Sequence, residues 1–415
     1  MPIFLEKRKG LVVFLIIVFA AVLIFFIMQH KKTFEGLNML SRADTATDVA
    51  YLAGKNFSFT ELTSHFQNLA KTKGAEYAFA VLKQATLPPD TDLHLLGHAV
   101  GDILYKQKGI DGIQVCTEDF RNACSHSIVT GLLFDKGEAA LSLIANACRH
   151  APGGTGAYTM CYHGLGHGIL AYADYDLKRA AALCQKTGTA AAGYQEGMQC
   201  VGGAIMEMIS GGGHNRTLWQ KARPHWLKPE DPLYSCKQDF MPSHGRIFCL
   251  IYITPYLWEA IGADLGHPSE KDFARSFTFC DTLANDDAAG RDACFGGFGK
   301  EFIALANNRD IRTVDQMNEK QMRQIYDWCK LAKSKNGTAA CIVSTMNSLY
   351  WGGENNRAGA IRFCNAVSDE YGKRSCFLNL IQSVSAYRND PEYRKAFCKD
   401  LPSQYQGECG VRLSR

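Results

Sequence analysis

Apolar residues recur at positions i, i+3 and i+4 along most of the chain, which is the spacing of one face of an α-helix. Residues 76–85, 93–105, 136–147 and 175–183 show this pattern most clearly. A further helix is predicted over 57–73, with Ser58 or Thr60 as its N-cap. The alternation typical of strands is almost absent outside 249–254. The pattern therefore predicts an all-α protein.

One apolar run differs from these amphipathic segments. Residues 11–28 are 18 consecutive uncharged and almost wholly apolar positions, enough for ~27 Å of helix, which is close to the hydrocarbon thickness of a bilayer. No cleavage site with small residues follows, so the run predicts an uncleaved transmembrane signal-anchor. Residues 1–10 would then be a cytoplasmic tail, 29–56 a polar tether, and 57–415 the main domain.

The cysteines indicate on which side of the membrane that domain lies. All 16 cysteines of the chain follow the predicted anchor, and such usage is typical of an oxidising compartment: periplasm, cell exterior or secretory lumen. There is no C-x-x-C, which excludes a thioredoxin-like motif and a thiolate zinc knuckle. The predicted membrane protein is therefore single-pass, with its N-terminus cytoplasmic and its C-terminal domain outside the cytoplasm.

The cysteines also define a repeat. They form eight neighbouring pairs, with 8 to 16 residues within a pair and 22 to 36 between pairs. The predicted disulfides are Cys116–Cys124, Cys148–Cys161, Cys184–Cys200, Cys236–Cys249, Cys280–Cys294, Cys329–Cys341, Cys364–Cys376 and Cys398–Cys409. Similar sequences follow the second cysteine of several pairs, and each begins an amphipathic run. Each unit is therefore predicted to be a helical hairpin bridged by its own disulfide.

An unbridged hairpin over 76–105 precedes the first pair, which brings the array to about nine units. Repeats of this length resemble tetratricopeptide and Sel1-like helix pairs in size, although their signature residues are lacking. The resemblance is one of architecture alone, and it implies a right-handed α-solenoid. The formal net charge is only +4, without a basic stripe, so no nucleic-acid partner is predicted.

Five histidines occupy matched positions in the early units: His94, His98, His126, His163 and His167. A His-x-x-x-His pair projects from one helix face and can chelate one ion, and stacked helices would bring neighbouring pairs together. No histidine follows His267, although the repeat continues, so the fold itself does not require them. Residues 90–210 are thus predicted to be a specialised region of a uniform scaffold.

Glu207 lies one unit further on and is predicted to be either a further metal ligand or a general base. Nitrogen and oxygen ligands suit zinc, copper or iron, and haem held by two histidines is a weaker alternative. If the protein is an enzyme, a metal-dependent hydrolase or oxidoreductase is expected. The competing interpretation is a non-catalytic solenoid that binds an envelope or extracellular protein partner, in which the histidines recognise that partner or sense pH.

Overall fold

The computed structural model describes residues 42–88, 91–152, 154–188, 193–211, 215–351, 357–388 and 390–413. Within these residues the chain is helical, and its only β-type pairing is an isolated bridge between Lys228 and Asp231. The all-α prediction is therefore confirmed. The predicted transmembrane helix at 11–28 lies outside the described residues, and none of the described helices is long and apolar enough to cross a bilayer.

The α-helices follow one another through short connections. They are α1 (Arg42–Leu52), α2 (Phe59–Lys73), α3 (Ala75–Gln84), α4 (Leu93–Lys108), α5 (Asp119–Lys136), α6 (Leu141–Arg149), α7 (Gly154–Tyr172), α8 (Leu177–Gln185), α9 (Gly193–Ser210), α10 (Arg216–Trp226), α11 (Ser243–Tyr252), α12 (Thr254–Ala260), α13 (Glu270–Asp281), α14 (Ala288–Ala306), α15 (Glu319–Lys330), α16 (Lys335–Trp351), α17 (Arg357–Ala366), α18 (Glu370–Tyr387), α19 (Pro391–Asp400) and α20 (Ser403–Leu413). Short 3₁₀ helices are present at Gly109–Val115, Gly137–Ala140, Tyr234–Lys237 and Val314–Gln316.

The first described helices test the local predictions. Helix α2 begins after Ser58, whose hydroxyl accepts the Glu61 N–H while the Glu61 carboxylate accepts the Ser58 N–H, a capping box. Residues 42–52, within the tether predicted over 29–56, form α1 and pack against α3. Leu52 is fully buried there, and the Thr45 hydroxyl donates to Gln84 at 3.1 Å. The helix was missed because its sequence has little amphipathic character.

A stack of helices runs through the molecule. Its members are α4, α5, α7, α9, α11, α14, α16, α18 and α20, and each packs against the next one in this order. From α5 onward, each member contains the second cysteine of a pair. Neighbours in space are thus neighbours in the sequence, as a helical repeat requires.

All eight predicted neighbour pairs are disulfides, and no cysteine is free. Each bridge joins the segment before a stacked helix to a cysteine within the first eight residues of that helix. In the chain-entropy view, a bridge that closes a loop of this length removes ~3 kcal/mol of freedom from the unfolded chain, although successive bridges do not simply add. The disulfides hold each unit together within itself, and the contacts between stacked helices hold the units together.

Glycines allow the stacked helices to approach closely. A Cβ atom at Gly166 would collide with the carbonyl oxygen of Cys200 on the next helix, and one at Gly203 would collide with the carbonyl of His163. At Gly164 a Cβ would meet the His126 ring. The helix-breaking glycines of the His163-Gly-Leu-Gly-His167 segment are therefore explained by backbone contact between neighbouring helices.

The stack curves strongly. Arg312, which follows α14, donates to the carbonyl oxygens of Leu82 and Ala85 at the end of α3, at 3.3 and 2.7 Å. These contacts join positions 230 and 227 residues apart in the sequence. The curvature brings residues of α14 and α16 to the same interior as residues of α4 and α5.

Candidate metal centre

Three consecutive stacked helices carry the histidines. Helix α4 presents His94 and His98 one turn apart, and their Nε2 atoms are 3.2 Å from each other. Helix α7 presents His163 and His167 in the same way, with 3.4 Å between their Nε2 atoms. Helix α5 lies between these two helices and contributes His126. The i, i+4 spacing therefore directs each pair to one face, and the stacking places both faces towards one centre.

His126 lies at the middle of the cluster. The centroid of its ring is 5.4 to 5.7 Å from the centroids of the other four imidazoles. The two pairs also approach each other directly, with 6.4 Å between the rings of His94 and His167 and 6.1 Å between those of His98 and His167. The structure thus brings together all five histidines that the sequence placed in matched register.

Most of the imidazoles are oriented by a partner on their outer side. Three of them use Nδ1 for this contact: His94 with the Phe120 carbonyl at 2.7 Å, His98 with the Ser127 hydroxyl at 3.2 Å, and His167 with a Glu207 carboxylate oxygen at 3.2 Å. An acceptor at Nδ1 fixes the proton there and leaves the lone pair on Nε2, which faces the centre. This is the arrangement by which metal-ligating histidines are usually held.

The central imidazole has no such partner. His126 is fully buried, and neither of its ring nitrogens makes a hydrogen bond to the described residues. A buried polar group without a partner costs on the order of 1–3 kcal/mol. Burial, reinforced by the four neighbouring imidazoles, lowers the pKa of His126 well below its ordinary range. The ring is therefore neutral at physiological pH and has a lone pair available for a cation.

The pKa values of two other histidines of the cluster are lowered as well. Desolvation lowers the pKa of His94 to about 4, and burial lowers the pKa of His163 well below its ordinary value. Neutral imidazole is the form that binds metal ions. The cluster therefore offers uncharged nitrogen donors near neutral pH.

Three of the histidines form a group that could hold a metal ion. Ligand atoms of His94, His126 and His167 all lie within 4.8 Å of one another. Around a tetrahedral ion with bonds of ~2.1 Å, ligand atoms are roughly 3.4 Å apart, so small inward movements of the rings would complete the site. A cluster of five such rings is large enough for one ion or for two neighbouring ions.

Glu207 does not join the ligand atoms at the centre, which differs from its predicted place as a ligand or general base. Its side chain is buried on the outer side of His167, where the second carboxylate oxygen accepts the Tyr175 hydroxyl at 3.2 Å. A carboxylate in this place orients the imidazole and increases its basicity. The register of the sequence located Glu207 next to the cluster but could not distinguish the inner side of a histidine from the outer one.

A strained turn supports one side of the centre. Phe120, Arg121 and Asn122 have φ values of 54°, 54° and 62°, which are left-handed conformations that ordinary side chains disfavour. The turn directs the Phe120 carbonyl to His94 and places the other two residues beside the cluster. Such strain costs on the order of 1 kcal/mol or more per residue and is concentrated at functional sites.

A cavity of about 280 Å³ opens from the cluster into the curve of the stack. His94, His126 and His163 form part of its wall, while α11, α14 and α16 contribute residues from much later units, among them Tyr252 and Lys300. The ring of Tyr252 lies 4.8 Å from that of His163, and burial raises the pKa of its hydroxyl to about 12. Sequence reasoning limited the specialised region to 90–210 and missed these residues. Only the curvature of the stack brings them close, and local spacing carries no signal of it.

The chain matches no family model, no curated protein and no solved structure. Its function is therefore argued from the geometry of this centre.

Proposed function

We propose that this protein is an extracytoplasmic metalloprotein that binds one or two transition-metal ions through His94, His98, His126, His163 and His167. One observation carries the proposal. Three imidazoles have their outer nitrogens held by acceptors, and they converge with His163 around a buried His126 whose two nitrogens have no hydrogen-bond partner among the described residues. Five buried or half-buried imidazoles would be an unfavourable way to fill a core unless an ion satisfied them.

The donor set narrows the choice of metal. All cysteines are bridged, so thiolate ligands are unavailable. Imidazole nitrogen suits zinc, copper and iron, whereas magnesium and calcium prefer oxygen. We favour an ion over haem, because the His126 ring lies 5.4 to 5.7 Å from each of the other four rings and occupies the space that a porphyrin would need. Zinc, copper and iron remain the candidates.

The cavity supports a catalytic role for the ion. An ion held by His94, His126 and His167 would have an open face towards the cavity, because His94 and His126 line its wall. Catalytic metal sites keep such an open position, whereas structural sites are closed. We therefore propose a metal-dependent oxidoreductase or hydrolase. In this scheme Glu207 positions His167 and is not itself the general base.

The disulfides support the proposed location. Eight bridges are consistent with folding in an oxidising compartment. We propose in addition that residues 11–28 anchor the chain in a membrane with the N-terminus cytoplasmic, and that the stack is a right-handed α-solenoid of about nine units. The apolar run and the spacing of the repeat support these two points.

A protein-binding scaffold is a second candidate, supported by a groove of about 740 Å³ lined by polar residues of α14, α16 and α18, beyond the histidines. A pull-down from the native membrane tests this candidate. If the wild type and a metal-free variant both recover a protein partner in stoichiometric amount, the scaffold is favoured.

The metal content of the purified full-length chain tests the proposal. We expect at least one equivalent of zinc, copper or iron in the wild type and a loss of most of it in His98→Ala/His163→Ala. The matched control is His150→Ala/His225→Ala, which removes two exposed histidines outside the cluster and should retain the metal. Equal metal content in all three proteins, or none in the wild type after reconstitution, would refute the proposal.

A further inference from the structure

The cavity beside the histidines has a marked charge. Of the described residues that line it, Arg121 and Lys300 are basic and none is acidic. Both cations act on the centre: the charge of Arg121 contributes to the low pKa of His94, and that of Lys300 contributes to the low pKa of His163. A bound metal ion would add further positive charge. The potential in the cavity therefore favours an anion.

Arg121 and Lys300 are each held by the structure around them. Arg121 is part of the left-handed turn at the start of α5, so its backbone is oriented by the same strained segment that holds His94. Lys300 is only 15% exposed, pairs with Glu301, and has its ammonium group 4.9 Å from the centre of the Tyr252 ring. Burial alone would raise the pKa of Glu301, but Lys300 and Arg121 outweigh this and lower it. Glu301 thus lies close to both basic side chains.

Part of the remaining wall is apolar, and uncharged polar residues such as Asn122, Gln199 and Ser348 complete it. Met160, Met206, Phe248 and Tyr252 lie around the same space. A cavity of about 280 Å³ holds the volume of roughly nine water molecules at ~30 Å³ each. It therefore fits a molecule of about ten non-hydrogen atoms with one charged end and one apolar end, and excludes a polymer.

We infer that this cavity binds a small organic carboxylate, with its charged group held by Arg121 and Lys300 and its apolar part against the methionines and Tyr252, adjacent to the metal. A planar guanidinium can bind a carboxylate through two parallel hydrogen bonds, which suits Arg121 to the role of main anchor. The inference rests on the proposed function for the metal, but the cations and the apolar wall belong to the protein itself. The ligand class thus deepens the proposed activity by defining what approaches the ion.

Binding of benzoate to the full-length, zinc-reconstituted protein, followed by calorimetry, tests the inference. Benzamide serves as the uncharged analogue of the same shape, and inorganic phosphate as an anion without an apolar part. We expect saturable binding of benzoate that is at least tenfold tighter than that of either other probe. Equal binding of benzoate and benzamide would overturn the inference, as would tighter binding of phosphate or no saturable binding of benzoate.

Variants of Arg121 and Lys300 test whether benzoate binds in this cavity. Arg121→Asn should weaken benzoate binding at least tenfold, because asparagine tolerates the left-handed backbone but lacks the charge. Arg121→Lys should restore part of the affinity, and Lys300→Gln/Glu301→Gln should lower it without leaving an unpaired carboxylate. Arg291→Gln is the control, since Arg291 lines the neighbouring groove and not this cavity. Unchanged affinity in Arg121→Asn would overturn the assignment.

The metal content of each sample, measured in parallel, separates the two proposals. If the protein contains no metal and its benzoate binding still depends on Arg121, the proposed function is contradicted and the inference of a carboxylate site is supported. If the protein contains its full metal content and its benzoate binding does not depend on Arg121, the proposed function is supported and the inference of a carboxylate site is refuted.

Discussion

Replacing Glu207 by glutamine should weaken metal binding although Glu207 does not reach the centre. Its carboxylate lies 3.2 Å from Nδ1 of His167 and also accepts the Tyr175 hydroxyl, at a position that is only 6% exposed. The carboxylate holds the proton on Nδ1, so the Nε2 lone pair faces the ion. Glutamine has the same shape but no charge, and its amide group can donate to Nδ1 and favour the opposite tautomer.

The expected size follows from the outer position of the carboxylate. Loss of an outer partner of a ligating histidine typically lowers metal affinity 10–100-fold, which is about 1.4–2.7 kcal/mol. A hydrogen bond to a charged group is worth a similar ~1.5–3 kcal/mol. Loss of a direct ligand would cost far more. The measured change therefore distinguishes a positioning residue from a ligand.

Competition with a chromophoric chelator gives the affinity, and a thermal melt of the metal-free protein shows whether the variant folds. Glu138→Gln is the control, because this exposed carboxylate pairs with Lys186 away from the cluster. Unchanged zinc affinity in folded Glu207→Gln would refute the positioning role. A decrease of more than about a thousandfold would instead make Glu207 a ligand.

Three further predictions concern stability. The pKa of His94 is lowered from 6.5 to about 4, so between these values the unfolded chain binds protons that the folded chain does not. Melts with chelator present should therefore show falling stability from pH 6.5 to 4, and a constant midpoint would contradict this. Gly166→Ala should cost about 3 kcal/mol or more through its clash with the next helix. Gly407→Ala, where no atom lies within 4 Å, should gain up to ~1 kcal/mol in chemical denaturation; equal effects would refute the packing argument. Cys184→Ala/Cys200→Ala should lose ~3 kcal/mol in the same assay, and no loss would mean that this bridge is dispensable.

Much of the fold could be predicted because its determinants are local. The helical spacing of apolar residues predicts each helix from positions three or four apart. The start of α2 is likewise predicted from Ser58 and Glu61, which are three residues apart. Cysteines 8 to 16 residues apart pair with their neighbours because each bridge closes within one unit. The convergence of His94 with His163 also followed from local spacing, since residues at equivalent positions of stacked helices face the same way.

What could not be predicted depends on small rotations added over many units. Tyr252 and Lys300 meet the histidines because the stack curves, and no short pattern encodes the sum of those rotations. The turn at Phe120 was missed because only one of its three residues, Asn122, is of a type that readily adopts a left-handed backbone. Glu207 was predicted to be a ligand or a general base, and its place on the outer side of His167 could not be predicted, since register fixes a helix face and not the reach of a side chain.

X-ray absorption at the metal edge of the loaded protein identifies the atoms that ligate the metal. We expect a first shell of nitrogen or oxygen atoms at ~2.0–2.1 Å, with the outer scattering of at least three imidazoles and no sulfur. That signal should collapse in His98→Ala/His163→Ala. A first shell containing sulfur, or one of oxygen atoms without imidazole scattering, would contradict a metal centre built from His94, His126 and His167.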